Sequence, residues 1–429
     1  MTALGYELKK IDAAEHDSFM QSSPKEHFMQ HSLWGKIKAL GEWDDELLGL
    51  YDEGRLVASV MLLHRPIPVL GGTVYYAPRG FVADFSDFGI ITAFTAKIKE
   101  YLKGKKAVYF IVDPDYYYRV LDEYEKEIKA PDDFVEKMTS VGYIHRGFTK
   151  NFESSQPRCT FRLPLSAPIE KTFDNFDRFA KKAIRQAEDN CIKVFSSDDF
   201  KTFGEIMTET AERDGFLENK LDYYKRVYDM LHPAGMADLL MAKYLPAEHL
   251  KSLDEQICSA ETEIEEAEKK LQLKDTPKLQ TALSQAKEKK ERLGRLKESA
   301  AESNRLYPEG IVLSVGININ TLHRGWTVYG GSRSVLRELN ANYAITYEAI
   351  KRFTAKGMEF MDFFGTVPNP TEDNPLYGIH RFKKKFSGRY IEFPGEFHLV
   401  FDKTRYLIWM KLFPPVFKIL KNLRKHVKR

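Results

Sequence analysis

Residues 96–114 read AKIKEYLKGKKAVYFIVDP, and residues 348–366 read EAIKRFTAKGMEFMDFFGT. Each stretch begins as a basic amphipathic helix, turns at a Lys-Gly pair, and ends in an apolar segment typical of a buried strand. A helix that leads through glycine into a strand is a common unit of mixed α/β folds. Its occurrence at two places in the chain predicts two structurally related lobes.

A long segment from about residue 246 to residue 305 departs from this α/β pattern. Its apolar residues recur with the three-four spacing of a helix, with Lys289 as one polar interruption. The series consists of Leu250, Leu253, Ile257, Ala260, Ile264, Ala267 and Leu271 before KDTPK, and of Leu279, Ala282, Ala286, Leu293, Leu296 and Ala300 after it. Pro277 can open the second helix. The pattern predicts an antiparallel coiled-coil hairpin inserted in the second lobe, and such an arm can dimerise, bind RNA or brace a partner.

Charge is unevenly distributed along the chain, although the formal net charge is only +3. Residues 403–429 read KTRYLIWMKLFPPVFKILKNLRKHVKR, with nine Lys or Arg and no Asp or Glu. A basic segment that is also rich in aromatic and aliphatic residues can lie in the interface of an anionic membrane. It can equally be a terminal helix that packs on the core, and the sequence leaves both alternatives open.

Composition and motifs exclude several classes of protein. The chain of 429 residues is 43% hydrophobic and 30% charged, as in soluble proteins of two or more domains. No apolar run approaches the ~20 residues of a membrane span, and MTALGYELKK at the start has no apolar signal core. Three scattered cysteines fit a reducing cytosol. Without a Walker, Rossmann, HExxH or GxSxG motif, we expect no cofactor, no metal and no covalent nucleophile.

A series of short motifs runs through the whole chain. It comprises QHSLWGKIK (30–38), YYAPRGF (75–81), VDP (112–114), KKAIRQAE (181–188), AERDGF followed by YY (211–224), VYGGS (328–332), MDFFG (361–365), and LYGIHRFKKKFSG followed by PGEF (376–397). In this order the motifs resemble the FemABX family of peptidyltransferases. These enzymes add amino acids from aminoacyl-tRNA to the stem peptide of peptidoglycan precursors, and members that act on lipid-linked precursors carry a coiled-coil hairpin at the same place.

The resemblance implies an α/β (α+β) fold of two GNAT-like lobes with the acceptor site between them. On that basis we expect four parts in the chain. These are a first lobe (1–158), a second lobe (159–245 and 306–395), the coiled-coil arm (246–305), and basic amphipathic helices (396–429) that pack on the first lobe or on a membrane.

The resemblance also implies substrate-binding residues. Lys38 would contact the diphosphate of the acceptor, and Tyr223 and Tyr329 would line the same cleft. Arg381 and Asn219 complete the predicted substrate-binding set, although the family usually has an arginine where Asn219 stands.

The catalytic residues predicted in this way are Lys383 and Asp113. Lys383, in RFKKKF, falls on the family's catalytic-site lysine. An aminoacyl ester is already activated and the attacking group is an amine, so the protein has to align the two, remove a proton and stabilise an oxyanion. A positive Lys383 can stabilise the oxyanion. Asp113, at the end of a buried strand, can accept the proton or orient the amine, or it can cap a helix beginning in DPDYYYRV.

We therefore expect a cytoplasmic aminoacyltransferase, with peripheral contact at the inner face of the cell membrane through residues 403–429 as an open alternative. Its donor would be an aminoacyl-tRNA of the Gly, Ala or Ser class, and its acceptor lipid II or UDP-MurNAc-pentapeptide. A competing hypothesis is a non-catalytic RNA-binding or scaffold protein that acts through the arm. A small-molecule N-acetyltransferase is a third, but the R-x-x-G-x-G/A loop for acetyl-CoA is absent from the sequence.

Overall fold

The computed structural model describes residues 5–411 of the chain. Its strands are β1 (Tyr6–Lys10), β2 (Asp44–Asp52), β3 (Arg55–Pro66), β4 (Thr73–Ala77), β5 (Val82–Ala83), β6 (Ala107–Val112), β7 (Arg119–Leu121), β8 (Glu127–Lys129), β9 (Tyr143–His145), β10 (Cys159–Pro164), β11 (Ile192–Ser196), β12 (Ala237–Tyr244), β13 (Ile311–Asn320), β14 (Arg324–Ser332), β15 (Phe360–Asp362), β16 (Arg389–Glu392) and β17 (Phe397–Val400).

The α-helices with both ends in this range are α1 (Ala13–Ser22), α2 (Ser32–Ala39), α3 (Phe88–Leu102), α4 (Phe134–Ser140), α5 (Ile169–Asp174), α6 (Arg178–Asp189), α7 (Phe200–Asp214), α8 (Leu221–Leu231), α9 (Pro246–Leu273), α10 (Pro277–Leu306), α11 (Ala341–Ala355) and α12 (Tyr377–Lys384). Residues 403–411 are also helical. The remainder of the predicted basic segment, 412–429, lies outside the described residues.

The first sheet has the strand order β1-β2-β3-β4-β6-β17-β9, with β5 paired to β3. β4 and β6 run parallel, so they need a crossover connection, and α3 provides it. The quoted stretch 96–114 forms the end of α3, a turn at Gly104 with φ +84°, and the fully buried β6. The predicted helix-glycine-strand unit is thus present here.

The second sheet repeats this arrangement. Its order is β11-β12-β13-β14-β15-β10-β16-β7-β8. β14 and β15 form its parallel pair, and α11 crosses between them before a turn at Gly357 with φ +73°. The stretch 348–366 therefore builds the same unit as 96–114, which confirms the prediction of two related α/β lobes.

Sheet membership departs from the predicted sequence ranges at two places. β7 and β8 lie within 1–158 but extend the second sheet through β16. β17 lies within 396–429 but pairs with β6 and β9 of the first sheet. The first lobe thus contributes two strands to the second sheet, and the C-terminal range contributes one strand to the first sheet. The division of the chain into four independent parts remains a prediction.

One hydrophobic core joins the two lobes. It contains Trp34 and Ile37 from α2, Phe203 from α7, Val227 from α8 and Trp326 from β14, all at most 2% exposed. Burial of large apolar side chains is the main stabilising contribution to such a contact. The shared core therefore fixes the positions of the side chains that the two lobes present to each other.

The arm is an antiparallel hairpin of α9 and α10. Leu253, Ala260, Leu293 and Ala300 are buried between the helices. Lys289, the polar interruption in the apolar series, lies 2.9 Å from the carboxylate of Glu263 on the facing helix. One part of the predicted spacing is wrong, because in the second helix position 282 is exposed and position 283 is half-buried. With 28 residues in α9, the arm extends roughly 40 Å from the lobes.

The described start of the basic segment packs on the first lobe. Tyr406 is buried, and its hydroxyl group forms a 3.0 Å hydrogen bond with Nδ1 of His398. Its ring packs edge-on against Tyr109. Trp409 and Met410 are partly buried on the same core. Within residues 5–411, every helix is too short or too polar to cross a bilayer.

Candidate active site

Three of the predicted acceptor-binding residues meet in space. Lys38 occupies the last turn of α2, and its Nζ donates a 2.9 Å hydrogen bond to Oη of Tyr223 on α8. Tyr223 Oη lies 3.0 Å from Oη of Tyr329 on β14. The Lys38 ammonium also lies 4.7 Å from the ring centroid of Trp34. A cation beside two hydroxyl groups is a suitable set of donors for phosphate oxygens. We name Lys38, Tyr223 and Tyr329 the cation–tyrosine cluster.

The tyrosines of this cluster sit in a low-dielectric surrounding. Burial raises the pKa of Tyr329 well above its ordinary value, and the neighbouring Tyr223 raises it further. Tyr329 is therefore a neutral hydroxyl at physiological pH. The predicted residue Asn219 is exposed and is linked to the cluster through Tyr224. Its backbone N–H donates to Tyr224 Oη at 3.3 Å, and the Tyr224 ring packs on Tyr329.

Lys383 is the buried residue of α12. Its Nζ donates to the carbonyl oxygens of Phe364 at 2.8 Å and Gly365 at 2.6 Å. Phe364 has φ +57°, and its N–H donates to the Asp362 carboxylate at 2.7 Å, which fixes the turn that carries these carbonyls. Burial lowers the pKa of Lys383 to about 7, although Asp362 opposes this shift. Two N–H groups of the ammonium are thus engaged, which leaves a third for a substrate oxygen.

Asp113 follows the end of β6 and is buried. Its carboxylate accepts a 2.7 Å hydrogen bond from Tyr76 Oη and a 2.6 Å hydrogen bond from the backbone N–H of Arg79. Burial raises the pKa of Asp113 to about 7, against the attraction of Arg79. The interpretation of Asp113 as a helix cap is wrong, because the chain continues without a helix into β7.

A short series of contacts links Asp113 to Lys383. The Arg79 guanidinium donates to the carbonyl oxygen of Pro157 at 2.6 Å. Pro157 packs against Gly365 so closely that a Cβ on that glycine would lie 2.5 Å from the proline ring. Gly365 in turn accepts from Lys383. The two predicted catalytic residues therefore lie on opposite sides of one close contact between the lobes.

Aromatic side chains connect the cation–tyrosine cluster to Lys383. The ring of Phe28 lies 5.1 Å from Trp34, 5.1 Å from Trp326 and 6.5 Å from Phe364, measured between centroids. Phe28 and Trp326 were not among the predicted site residues. From sequence alone, a phenylalanine or tryptophan in an apolar stretch has the signature of a core residue.

Arg381 does not join Lys383. The two residues are two positions apart on α12, about 200° around the helix axis. Arg381 lines a separate cavity of about 420 Å³, together with Arg333, Arg337 and Lys385. Arg333 and Arg337, which follow the VYGGS motif in the connection to α11, were not among the predicted site residues.

Comparisons with known proteins agree with this geometry. A sequence model described as the FemAB family matches residues 11–412. The lipid II:glycine glycyltransferase of Staphylococcus aureus (strain MRSA252) is 28% identical over 98% of this chain and 99% of the relative. The protein of the same name from Staphylococcus haemolyticus is 29% identical over 96% and 97%. A crystal structure of FemX superimposes with a TM-score of 0.79 and 28% identity, covering 94% of this chain and 99% of FemX. The chain belongs to the FemAB family.

Proposed function

We propose that this protein is a cytoplasmic aminoacyltransferase that builds the interpeptide bridge of peptidoglycan. It moves an amino acid from aminoacyl-tRNA to the stem-peptide amine of lipid II or of its nucleotide form. The observation that carries this proposal is the joining of an anion-binding cluster to the Lys383–Asp113 pair by aromatic side chains contributed by both lobes. The names of the relatives, which are glycyltransferases acting on lipid II, support the same acceptor.

The acceptor fits the cation–tyrosine cluster through its diphosphate. Lys38 supplies a positive charge, and Tyr223 and Tyr329 supply hydroxyl donors. Charge-assisted hydrogen bonds of this kind are roughly twice as strong as neutral ones.

The chemistry fits the Lys383–Asp113 pair. The acceptor amine attacks the ester carbonyl carbon, and the carbonyl oxygen becomes an oxyanion. The free N–H of Lys383 stabilises that charge in a buried site, where such an interaction is strong. Asp113 takes the proton that the amine nitrogen loses. The oxyanion then collapses, the C–O bond to the ribose breaks, and that proton passes to the departing ribose oxygen. An amide and a free tRNA hydroxyl result.

The donor fits the cavity of Arg381. Arg333, Arg337, Arg381 and Lys385 gather four cations around one space of about 420 Å³, and Phe179 and Phe382 line the same space. Cations bind the phosphates of a nucleic acid, and aromatic rings accept its bases by stacking. We assign this cavity to the acceptor end of the tRNA.

Transfer can be tested directly by mass. The protein is incubated with glycyl-, alanyl- or seryl-tRNA in turn, and with either lipid II or UDP-MurNAc-pentapeptide. We expect the mass of one amino acid to be added to one of the acceptors, and no addition from acetyl-CoA. If no donor adds mass to either acceptor under conditions in which a FemAB relative does, the proposed activity is wrong.

Lys38→Ala is expected to raise the KM for the acceptor by ~10- to 100-fold and to change kcat by less than about threefold, because a hydrogen bond to a charged group contributes about 1.5–3 kcal/mol. The acceptor KM should also become less sensitive to salt. Lys36→Ala is the matched control, since Lys36 is exposed on the same helix. A change confined to the KM for the tRNA would place Lys38 outside the acceptor site.

The competing hypothesis, a scaffold that acts through its arm, makes a different prediction. Replacing residues 248–303 by a short Gly-Ser loop should leave the lobes folded, because the arm has its own core separate from theirs. We expect transfer to fall by about tenfold through a higher KM for tRNA. Circular dichroism and steady-state kinetics measure the two effects. Unchanged kinetics for both substrates would assign the arm to dimerisation or to a protein partner instead.

A further inference from the structure

Three chain segments meet at one edge of the first sheet. Because β4 and β6 are parallel, the loops that precede them, 67–72 and 103–106, lie side by side, and Thr73 N–H donates to the carbonyl of Lys106 at 2.9 Å. Because β17 is antiparallel to β6, the helix at 403–411 begins at the same edge, with Phe401 N–H donating to the carbonyl of Val108 at 2.9 Å. We name this region the basic edge.

The tip of loop 67–72 presents an aliphatic side chain to solvent. Val69 is 95% exposed and has φ +69°, a conformation that β-branched residues rarely adopt. The turn is nevertheless well held. Ile67 N–H donates to the Gly72 carbonyl at 2.9 Å, and Leu70 donates its N–H to Pro68 at 2.8 Å. The turn therefore holds one aliphatic side chain in solvent at a fixed position.

Cations surround this tip. Lys103, Lys106 and Lys403 have no carboxylate within 4.0 Å among the residues that the structure describes. Arg405 donates to the Leu70 carbonyl at 3.2 Å and pairs with Asp402. The nearby acids are largely neutralised, since Glu46 pairs with Lys105 and Glu42 with Arg65, whereas Asp44 is exposed.

The sequence beyond the described residues is also basic. Residues 412–429 contain six Lys or Arg and no Asp or Glu. Near an anionic leaflet each basic residue contributes about 1 kcal/mol of attraction. An apolar tip inside a basic rim is complementary to such a leaflet, because the aliphatic group can enter the acyl region while the cations face lipid phosphates.

The helix that carries Lys38 ends near the same edge. α2, which carries Lys38, ends four residues before β2, and Asp44 at the start of β2 pairs with His64 near the end of β3. β3 leads directly into loop 67–72. Trp43 stacks under Arg65 at 4.6 Å. A bilayer placed against the basic edge would therefore bring its headgroup layer near Lys38.

We propose that the basic edge is a membrane-docking surface, with Val69 inserting into an anionic bilayer and the surrounding lysines binding its headgroups. Docking in this orientation presents the cation–tyrosine cluster to a diphosphate at the membrane surface. That last step rests on the proposed function, whereas the docking itself does not.

The test uses the full chain and vesicles of phosphatidylglycerol and phosphatidylcholine without any precursor. Val69→Asp is expected to lower the partition coefficient onto these vesicles by at least about tenfold at low salt, and Val69→Leu to leave it unchanged. Ile128→Asp, at an aliphatic residue that is 52% exposed in β8 of the other sheet, is the matched control and should bind as the original chain does. Thermal melting checks that all variants fold.

A kinetic measurement distinguishes the docking surface from the proposed transferase function. Val69→Asp should process UDP-MurNAc-pentapeptide normally, while its KM for lipid II in vesicles rises by about tenfold. Vesicle binding by Val69→Asp equal to that of the original chain, or no binding by the original chain at low salt, would overturn the docking surface whatever the transfer assay shows. If Val69→Asp loses vesicle binding but the original chain transfers no amino acid to either acceptor, the docking surface is retained and the transferase proposal is wrong.

Discussion

Lys383→Met is expected to lower kcat by ~100- to 1000-fold while the KM for either substrate stays within about threefold, since loss of one oxyanion donor typically costs that much. The ammonium is held by the carbonyls of Phe364 and Gly365 at the contact between the lobes. Methionine has a similar length and no N–H, so it removes the donor without opening a large cavity. Turnover within twofold of the original chain would exclude Lys383 from the reaction.

The same substitution should leave the protein at least as stable. The folded pKa of Lys383, about 7, lies below its ordinary value of 10.5 because of burial. Between these two values the unfolded chain binds more protons than the folded one, so this lysine makes the free energy of unfolding rise with pH. Lys383→Met should lack that rise, on the order of 1–3 kcal/mol between about pH 7 and about pH 10. Urea unfolding at several pH values measures it.

Lys384→Met is the matched control for both measurements. Lys384 neighbours Lys383 on α12 but is paired at the surface with Glu125. Its loss should change kcat by less than about twofold and stability by less than about 1 kcal/mol, as expected of a surface ion pair. Equal losses in the two variants would point to a general effect of positive charge on tRNA binding.

The parts of the fold that follow local rules could be predicted from the sequence. Helical periodicity located the arm, and each of the paired helix-glycine-strand stretches located a helix and the buried strand that follows it. Strand exchange could not be predicted, because the pairing of β17 with β6 and of β7 with β16 joins segments far apart in the chain. Such pairings depend on tertiary packing rather than on local pattern.

Part of the candidate site could likewise be predicted from the sequence, and part could not. The resemblance of motifs predicted that Lys38, Tyr223 and Tyr329 line one cleft, and in the structure they are hydrogen-bonded to one another. Arg381 shares a motif with Lys383 yet faces a different cavity, because neighbours on a helix diverge by about 100° per residue.

Asp113→Asn is expected to lower kcat/KM by ~100- to 10,000-fold at neutral pH, since a general base contributes about that range. In the original chain Asp113 has to be ionised and Lys383 protonated, and both have a pKa of about 7. The profile of kcat/KM should therefore be a narrow bell near neutral pH that belongs to the pair as a whole. Asparagine should abolish the acid limb and leave the alkaline limb that Lys383 produces.

In the original chain, Asp113 and Lys383 should make the free energy of unfolding depend on pH with opposite signs. The folded pKa of Asp113 is raised from 3.8 to about 7 by burial, so between these values the folded chain binds more protons than the unfolded one. This carboxyl therefore makes the free energy of unfolding fall as pH rises through that window, and asparagine should remove the fall. Asp133→Asn, at an exposed carboxylate paired with Lys137, is the control.

The pH profile of the reaction is obtained from single-turnover rates between about pH 5.5 and about pH 8.5, measured before the aminoacyl ester hydrolyses. If the acid limb persists unchanged in Asp113→Asn, another group accepts the proton.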